Sequence, residues 1–465
     1  MHVDFPAGEL RTEGANGVAG RRSLGNAHRP CRTHQPFAST SSPMASSPAD
    51  PQQPFSLERY HVSEEYGFIL QEPLTELPPY YQTWMDIARR VTDLVQSHTL
   101  RTHIHQMPQL DPSFLQSHRE LRLAHLALSI MTMGYVWQEG EKGTVKVLPR
   151  NLAVPFWEVS QRLGLPPILT HADGVLANWR KRDPKGPFDM ENLELLLTLP
   201  GGESFRGFFI VTLMVEKAAV PAVKAIPMVI NGVRRGDAST VTRALEDIAQ
   251  SMSSMTEAIK LLHKYVDPAI FYGIMRIFLS GWKDNPSMVE GLVYEGVQAE
   301  PVQISGGSAA ESSLLHCFDE LLGVSHEPQS GAFLKRMRDY MPPDHKRLIQ
   351  DISSGPSLRR YVLDGDSAPL NAAYQRCVTQ LVAMRSYHLN VVSRFVTVPA
   401  ARARQLRARG EGGEGGEGDA LTKAPTALEE RGTGGSGIMS FLKTVRDRTK
   451  VVSLPPPKAD SQSNN

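Results

Sequence analysis

No apolar run in this chain reaches the roughly 18 residues that a membrane-crossing helix needs, and its N-terminus has no hydrophobic centre of a secretory signal. Neither a membrane partner nor export is expected, and the cytosol is the expected compartment. Cysteine is scarce: Cys31, Cys317 and Cys377 are odd in number, far apart and never spaced as Cys-x-x-Cys, which argues against a disulfide framework or a zinc ribbon. An excess of one charge is missing too. Fifty basic against forty-nine acidic residues leave a net charge of +1, so no long-range field gathers nucleic acid or an anionic surface. Few stretches alternate as strands do. No H-E-x-x-H, G-x-S-x-G or Walker sequence occurs, which leaves hydrolase and nucleotide readings without an anchor.

What is present is helical. With 41% hydrophobic residues in a chain of 465, a substantial core can form. Residues 1–54, rich in Pro, Ser, Arg, His and Gly, carry few clustered apolar positions and read as a disordered leader, with Met44 a candidate second start. From Tyr60 to about Phe395 the apolar spacing is that of helices, broken by Leu165-Pro166-Pro167 and Tyr340-Met341-Pro342-Pro343. The pattern predicts an all-α protein of two helical domains, a smaller one over 55–199 and a larger one over 200–450. The boundary is placed near Pro200-Gly201-Gly202, before an apolar helix from Phe208 to Val220. Gly-Glu repeats from Glu411 to Glu417 mark a flexible loop, near 403–437, that returns an amphipathic helix, Ile438 to Val445, to the body; residues 451–465 read as a disordered tail. Two G-x-G-x-x-G matches, at Gly410, Gly412, Gly415 and at Gly432, Gly434, Gly437, follow no strand and lack the context of a dinucleotide site. His103 and His105, two apart, face different sides of a helix and read as surface residues.

Three segments can carry chemistry. Cys377, Leu381, Met384, Val391 and Phe395 form an apolar stripe in which His388 falls, so an imidazole is aimed inward, with Arg385 close by. By pattern alone such a histidine is more often a satisfied core residue than a ligand, although imidazole is also the usual fifth ligand of an oxygen-binding porphyrin iron. A second helix opens at Asp267-Pro268 and carries one charge, Arg276, up to Trp282. A guanidinium among apolar neighbours needs an anion, either a bound carboxylate or an internal acid. Phe271 and Tyr272, one turn earlier, can share its pocket. Third, Ser308 and Glu311 form a capping box before Leu314, Leu315, Phe318 and Leu322, while Gly306, Gly307, Ala309 and Ala310 leave room for something bulky against the backbone.

The strings Val147-Leu148-Pro149-Arg150-Asn151, Leu279-Ser280-Gly281-Trp282-Lys283, Gly306-Gly307-Ser308-Ala309, Arg385-Ser386-Tyr387-His388 and Gly432-Thr433-Gly434-Gly435, in this order from about Tyr60 to Val445, resemble the indoleamine 2,3-dioxygenase family. The resemblance implies a two-domain helical protein whose larger domain holds heme b. With His388 as axial ligand, O2 would be inserted into the indole 2,3 bond of L-tryptophan to give N-formylkynurenine, the first step of the kynurenine pathway. It further implies an electron donor to keep the iron reduced, and a monomer is expected.

Carried over by position, Phe271 packs against the indole, Tyr272 completes that wall, Arg276 holds the substrate carboxylate, and Phe208 and Val175 touch the ring. Ser308 and Ala309 line the pocket and Gly307 allows close approach; Thr433 closes over the site; Arg385 and Asp319 support the heme. His171 stands where a tyrosine is usual, Gly174 for a cysteine, Thr212 for a serine, Leu315 for a phenylalanine and Glu311 for a glutamine. The histidine and threonine resemble a second, less active paralogue. Three classes stay open at this point: a dioxygenase, a heme protein that binds oxygen with little turnover, and a helical scaffold without heme.

Overall fold

In a computed structural model the protein is described over residues 53–409, 420–421, 424–426 and 437–455. Nearly all the leader, the Gly-Glu repeats, Thr433 and residues 456–465 lie outside the described residues.

The architecture is helical, as its spacing predicts. Helix α1 (His118–Trp137) begins at a reciprocal cap: Ser117 Oγ accepts the Glu120 N–H at 3.1 Å and Glu120 Oε2 accepts the Ser117 N–H at 2.7 Å. From Leu121 onward all its residues are buried, so it runs through a core rather than across a surface. Helix α2 (Arg150–Leu163) packs beside it. Helices α3 (Gly202–Ala218) and α4 (Val220–Arg235) divide at Ala219, so the apolar helix expected over Phe208 to Val220 is interrupted one residue before its expected end. Both α3 and α4 pack on α5 (Ala238–Lys260), whose first turn is held by Asp237 accepting the Thr240 N–H. Gly201 is required just before α3: it has φ +140°, and a β-carbon there would lie 2.6 Å from Met275.

The segment after Asp267 is not one regular helix. Asp267 Oδ1 accepts the N–H groups of Ala269 and Ile270 at 2.7 and 3.0 Å, as a cap should. Then α-helical Pro268–Ile270 passes into a π-helical turn, Phe271–Met275, before Arg276–Phe278 ends the segment short of Trp282. Helix α6 (Ser313–Leu322) is capped by Ser312; the Ser308–Glu311 box is present but closes only the 3-10 turn Ala309–Glu311 ahead of it. Helix α7 (Ala368–Val392) continues through a second π turn, Ser393–Thr397, and packs along α5 on one side and along α8 (Ile438–Lys450) on another.

Strands are minor. Val147–Leu148 pairs in parallel with Val293–Tyr294, and Arg180–Lys181 pairs antiparallel with Leu193–Glu194. The boundary expected near residue 200 coincides with the start of α3, and one apolar cluster extends across it from Phe55 to Val452. Polar ties cross it as well: the Trp137 indole N–H donates to Ser280 O at 3.0 Å and the Tyr294 hydroxyl to Pro167 O at 2.6 Å. Cys317 and Cys377 are buried free thiols. Among the described residues no helix is long and apolar enough to cross a membrane.

Candidate active site

A mostly apolar cavity of about 320 Å³ opens between α3, α7, α8 and the 304–315 segment. Along α7, Met384, Arg385, His388, Val391 and Val392 face it at three- and four-residue steps, the periodicity of one helical face. His388 is half-buried only because its ring borders the cavity. Neither ring nitrogen hydrogen-bonds to a described residue, and both stay accessible. Burial, reinforced by the Arg385 charge, pushes its pKa down to about 4, so the ring is neutral near pH 7 and offers a nitrogen lone pair.

Arg385 is held in turn. Its Nη2 donates to Asp319 Oδ2 at 2.7 Å and its Nη1 to Thr449 Oγ1, which ties α7 to α6 and α8. Asp319 Oδ2 also meets His326 Nε2 at 2.7 Å. Burial by itself would raise the Asp319 carboxyl; the Arg385 guanidinium and His326 outweigh it and hold the pKa at about 2.

Arg276 borders the cavity almost fully buried. Burial lowers its pKa to about 10, which leaves it cationic at neutral pH, with its guanidinium 5.1 Å from the Tyr272 ring centre. The π turn places it there. In an α-helix, residues five apart diverge by roughly 140°, whereas a turn bonded from i to i+5 stacks them, and so Phe271 and Arg276 face one cavity. Phe271 packs on Phe208 at 5.1 Å between ring centres and on Phe395 at 5.9 Å.

Every other expected site residue but two borders the same cavity: His171, Val175, Phe208, Thr212, Gly307, Ser308, Ala309 and Leu315 join Phe271, Arg276, Asp319, Arg385 and His388. Tyr272 does not. It is fully buried in a separate cluster with Val392, Val396, Ala400 and Leu421, behind the wall it was expected to complete. Thr433 lies outside the described residues.

The glycines divide their roles in a way the sequence does not disclose. A β-carbon on Gly306 would sit 2.2 Å from Gly281 N, so that glycine serves backbone crossing, while one on Gly307 would meet only Leu169 O at 3.5 Å beside the cavity. Gly174 is also structural: a β-carbon there would lie 2.4 Å from the Phe209 ring.

Sequence reasoning missed Glu216 and Ser312. Glu216 is buried; its Oε1 accepts the Ser312 hydroxyl at 2.6 Å and meets His171 Nε2 at 2.9 Å. The signal was available, since Phe208, Thr212 and Glu216 repeat every four residues on α3 and Glu216 is a lone acid in an apolar run. Behind this corner the Glu311 carboxyl accepts the His171 and Ser308 N–H groups at 2.8 and 3.1 Å; burial pushes its pKa well above the carboxylate range. The α8 wall, Ile438, Phe441, Leu442 and Val445, was visible as an amphipathic stripe but not as cavity lining.

Such a cavity, with a neutral imidazole, a buried cation and a cluster of tilted and edge-on aromatics, suits a flat metal-bearing cofactor beside an aromatic anion. A family model described as Indoleamine 2,3-dioxygenase matches residues 56–452. The chain belongs to the indoleamine 2,3-dioxygenase family. It is 53% identical over 404 residues to Indoleamine 2,3-dioxygenase 2 of Mus musculus, covering 87% of this chain and 96% of that protein. It is 44% identical over 401 residues to Indoleamine 2,3-dioxygenase 1 of Rattus norvegicus, covering 86% and 96%. A protein named Myoglobin from Haliotis madaka is 37% identical over 399 residues, covering 85% and 98%. Within the family, the higher identity to a protein numbered 2 agrees with the resemblance carried by His171 and Thr212.

Proposed function

We propose that this chain is a heme-dependent dioxygenase that inserts both atoms of O2 into the indole 2,3 bond of L-tryptophan, yielding N-formylkynurenine. One observation carries the reading: His388 offers an unengaged neutral imidazole to an apolar cavity that also receives the buried cation Arg276. The residues fit heme b. His388 would hold the iron through its ring nitrogen, and Gly307 carries no β-carbon that would obstruct a flat ring beside it. Bound there, heme supplies the activation of O2 and the transfer of its atoms to the indole.

The rest belongs to the protein. Arg276 binds the substrate carboxylate by charge-assisted hydrogen bonds, strong in so dry a site. Phe271 and Phe208 orient the indole, and Val391, Val392 and Leu442 keep water out. The Thr212 hydroxyl donates to Phe208 O at 2.7 Å, so it presents its methyl and lone pairs, not a free proton, at the cavity. Arg385, pinned by Asp319 and Thr449, fixes the helix that carries His388.

The test is turnover by reduced, heme-loaded protein given L-tryptophan and O2. N-formylkynurenine is expected from the wild type; His388→Ala folds but shows no Soret band, and Arg276→Ala keeps the band while its KM for tryptophan rises by about 10- to 100-fold. The relatives named Myoglobin favour a second reading, oxygen binding with little turnover. Heme-loaded protein that binds O2 yet forms no product would select it, and a fully folded protein that takes up no heme would overturn both.

A further inference from the structure

Part of the cavity is walled by chain that no long helix holds: Gly307, Ser308 and Ala309 border it from the irregular stretch between Ile304 and the short turn Ala309–Glu311. Its position depends on ties to other elements. At one end the Ser305 N–H donates to the Tyr340 hydroxyl at 2.7 Å. At the other, Ala310 O accepts from His316 Nε2 at 2.8 Å, and His316 Nδ1 accepts in turn from Arg338 Nε at 3.2 Å. Arg338 and Tyr340 belong to one 3-10 turn, Arg338–Tyr340, at the end of the helix Pro328–Met337. A single turn thus braces the cavity-facing backbone on both sides.

The direction of each bond in the brace is fixed. A carbonyl oxygen only accepts, so His316 Nε2 carries the hydrogen, and Nδ1 of the neutral ring is left as the acceptor that the Arg338 guanidinium, which only donates, requires. Burial, with the Arg338 charge beside it, lowers the pKa of the ring to about 4, so this tautomer holds at neutral pH. His316 is buried and itself borders the cavity, while Arg338 ends the series at the Glu320 carboxylate. Removing the imidazole leaves a carbonyl and a charged N–H without their partner and detaches the Ala310 end from the turn.

We propose that His316 is a positioning residue for the cofactor: with Arg338 and Tyr340 it holds the backbone of Gly307, Ser308 and Ala309 in the place that receives heme, acting through Ala310 and not as an iron ligand. The proposal rests on reading the cavity as a heme site and adds what keeps that site in shape. A surface already held in its bound form gives up less freedom when the ligand arrives, so the brace raises heme affinity without contributing a ligand.

Titrations of the apo-protein with heme, followed by the Soret band well below the melting temperature, test this beside circular dichroism melts of the same samples. His316→Leu should weaken heme binding about tenfold, the size of effect seen when a group behind a metal site is lost, and Arg338→Met should do so to a similar degree from outside the cavity. His316→Gln, whose amide can both donate and accept, should stay within about threefold of wild type. A loss of stability alone lowers the melt but leaves the affinity of protein that is still folded unchanged. If His316→Leu does not fold, Tyr340→Phe decides, since it removes only the hydroxyl that accepts the Ser305 N–H and should weaken heme binding about threefold. Wild-type affinity in His316→Leu or in Tyr340→Phe, or His316→Gln as weak as His316→Leu, overturns the proposal. Wild-type protein that takes up no heme overturns the heme reading beneath it.

Discussion

Gly306→Ala tests how the cavity floor is built. Gly281 and Gly306 cross with no side chain between them: a β-carbon on either lies 2.2 Å from the backbone nitrogen of the other, and one on Gly306 lies 2.4 Å from Leu279 O. Carbon contacts are ordinarily comfortable at about 3.5–4 Å, so the two segments must part by about 1 Å or more. They are not free to do so, because the Trp282 and Lys283 N–H groups both donate to Ile304 O at 2.9 Å. Overpacking of this kind costs about 1–3 kcal/mol, and the obstructing atoms here are backbone, which places this case at the upper end, about 3 kcal/mol. At the usual unfolding entropy per residue, a folded body of this size loses about 1 °C for each kcal/mol, so Tm should drop by about 3 °C. Gly307→Ala is the internal control: its nearest obstacle is Leu169 O at 3.5 Å, so Tm should stay at the wild-type value while the new methyl alters heme or tryptophan affinity. Circular dichroism melts and Soret titrations read both. A Gly306→Ala protein that melts with wild type, or a Gly307→Ala protein equally destabilised, would refute this account of the two glycines.

Two further tests concern buried charge. The Asp319 carboxyl is depressed to about 2 by Arg385 and His326, so its contribution to stability is complete above the unfolded value near 4 and disappears as pH falls from there through about 2. Asp319→Asn should flatten the acid limb of a Tm-versus-pH curve in that window by roughly 2 kcal/mol, and a curve superimposable on wild type would show the pair to be energetically silent. Asp173 lies fully buried, with Oδ1 2.8 Å from His125 Nδ1 and Oδ2 accepting the Thr170 hydroxyl at 2.7 Å. Removing the carboxylate leaves the buried Arg122 guanidinium without its counter-charge, so Asp173→Ala should cost about 3–5 kcal/mol in urea unfolding, and a loss no larger than that of a surface acid would contradict the assignment.

The helical class, the inward His388 and the buried Arg276 were legible because each rests on local spacing. The apolar stripe of α7 is periodic, and one charge in an apolar helix announces itself wherever the helix packs. What escaped was not local. Tyr272 was grouped with Phe271 on the assumption of 3.6 residues per turn, and the π turn breaks that assumption at the site itself. The Ser308–Glu311 box was found, yet it closes one 3-10 turn while Ser312 starts the helix; two capping signals four residues apart cannot be ranked without seeing where Glu311 points. The partner of Gly306 is Gly281, 25 positions away, and no pattern in either segment names the other. Glu216 was visible as an anomaly, but its meaning required knowing that His171 faces it from 45 positions earlier.

The widened turn at Phe271–Met275 has one more consequence. A surplus residue in an α-helix would offset all that follows, and the wide turn absorbs it. Rewinding the same residues as a plain α-helix would carry Arg276 roughly 140° around from Phe271 with every side chain retained. In this fold the pitch of one turn is as much a determinant of what the cavity can grip as the chemistry lining it.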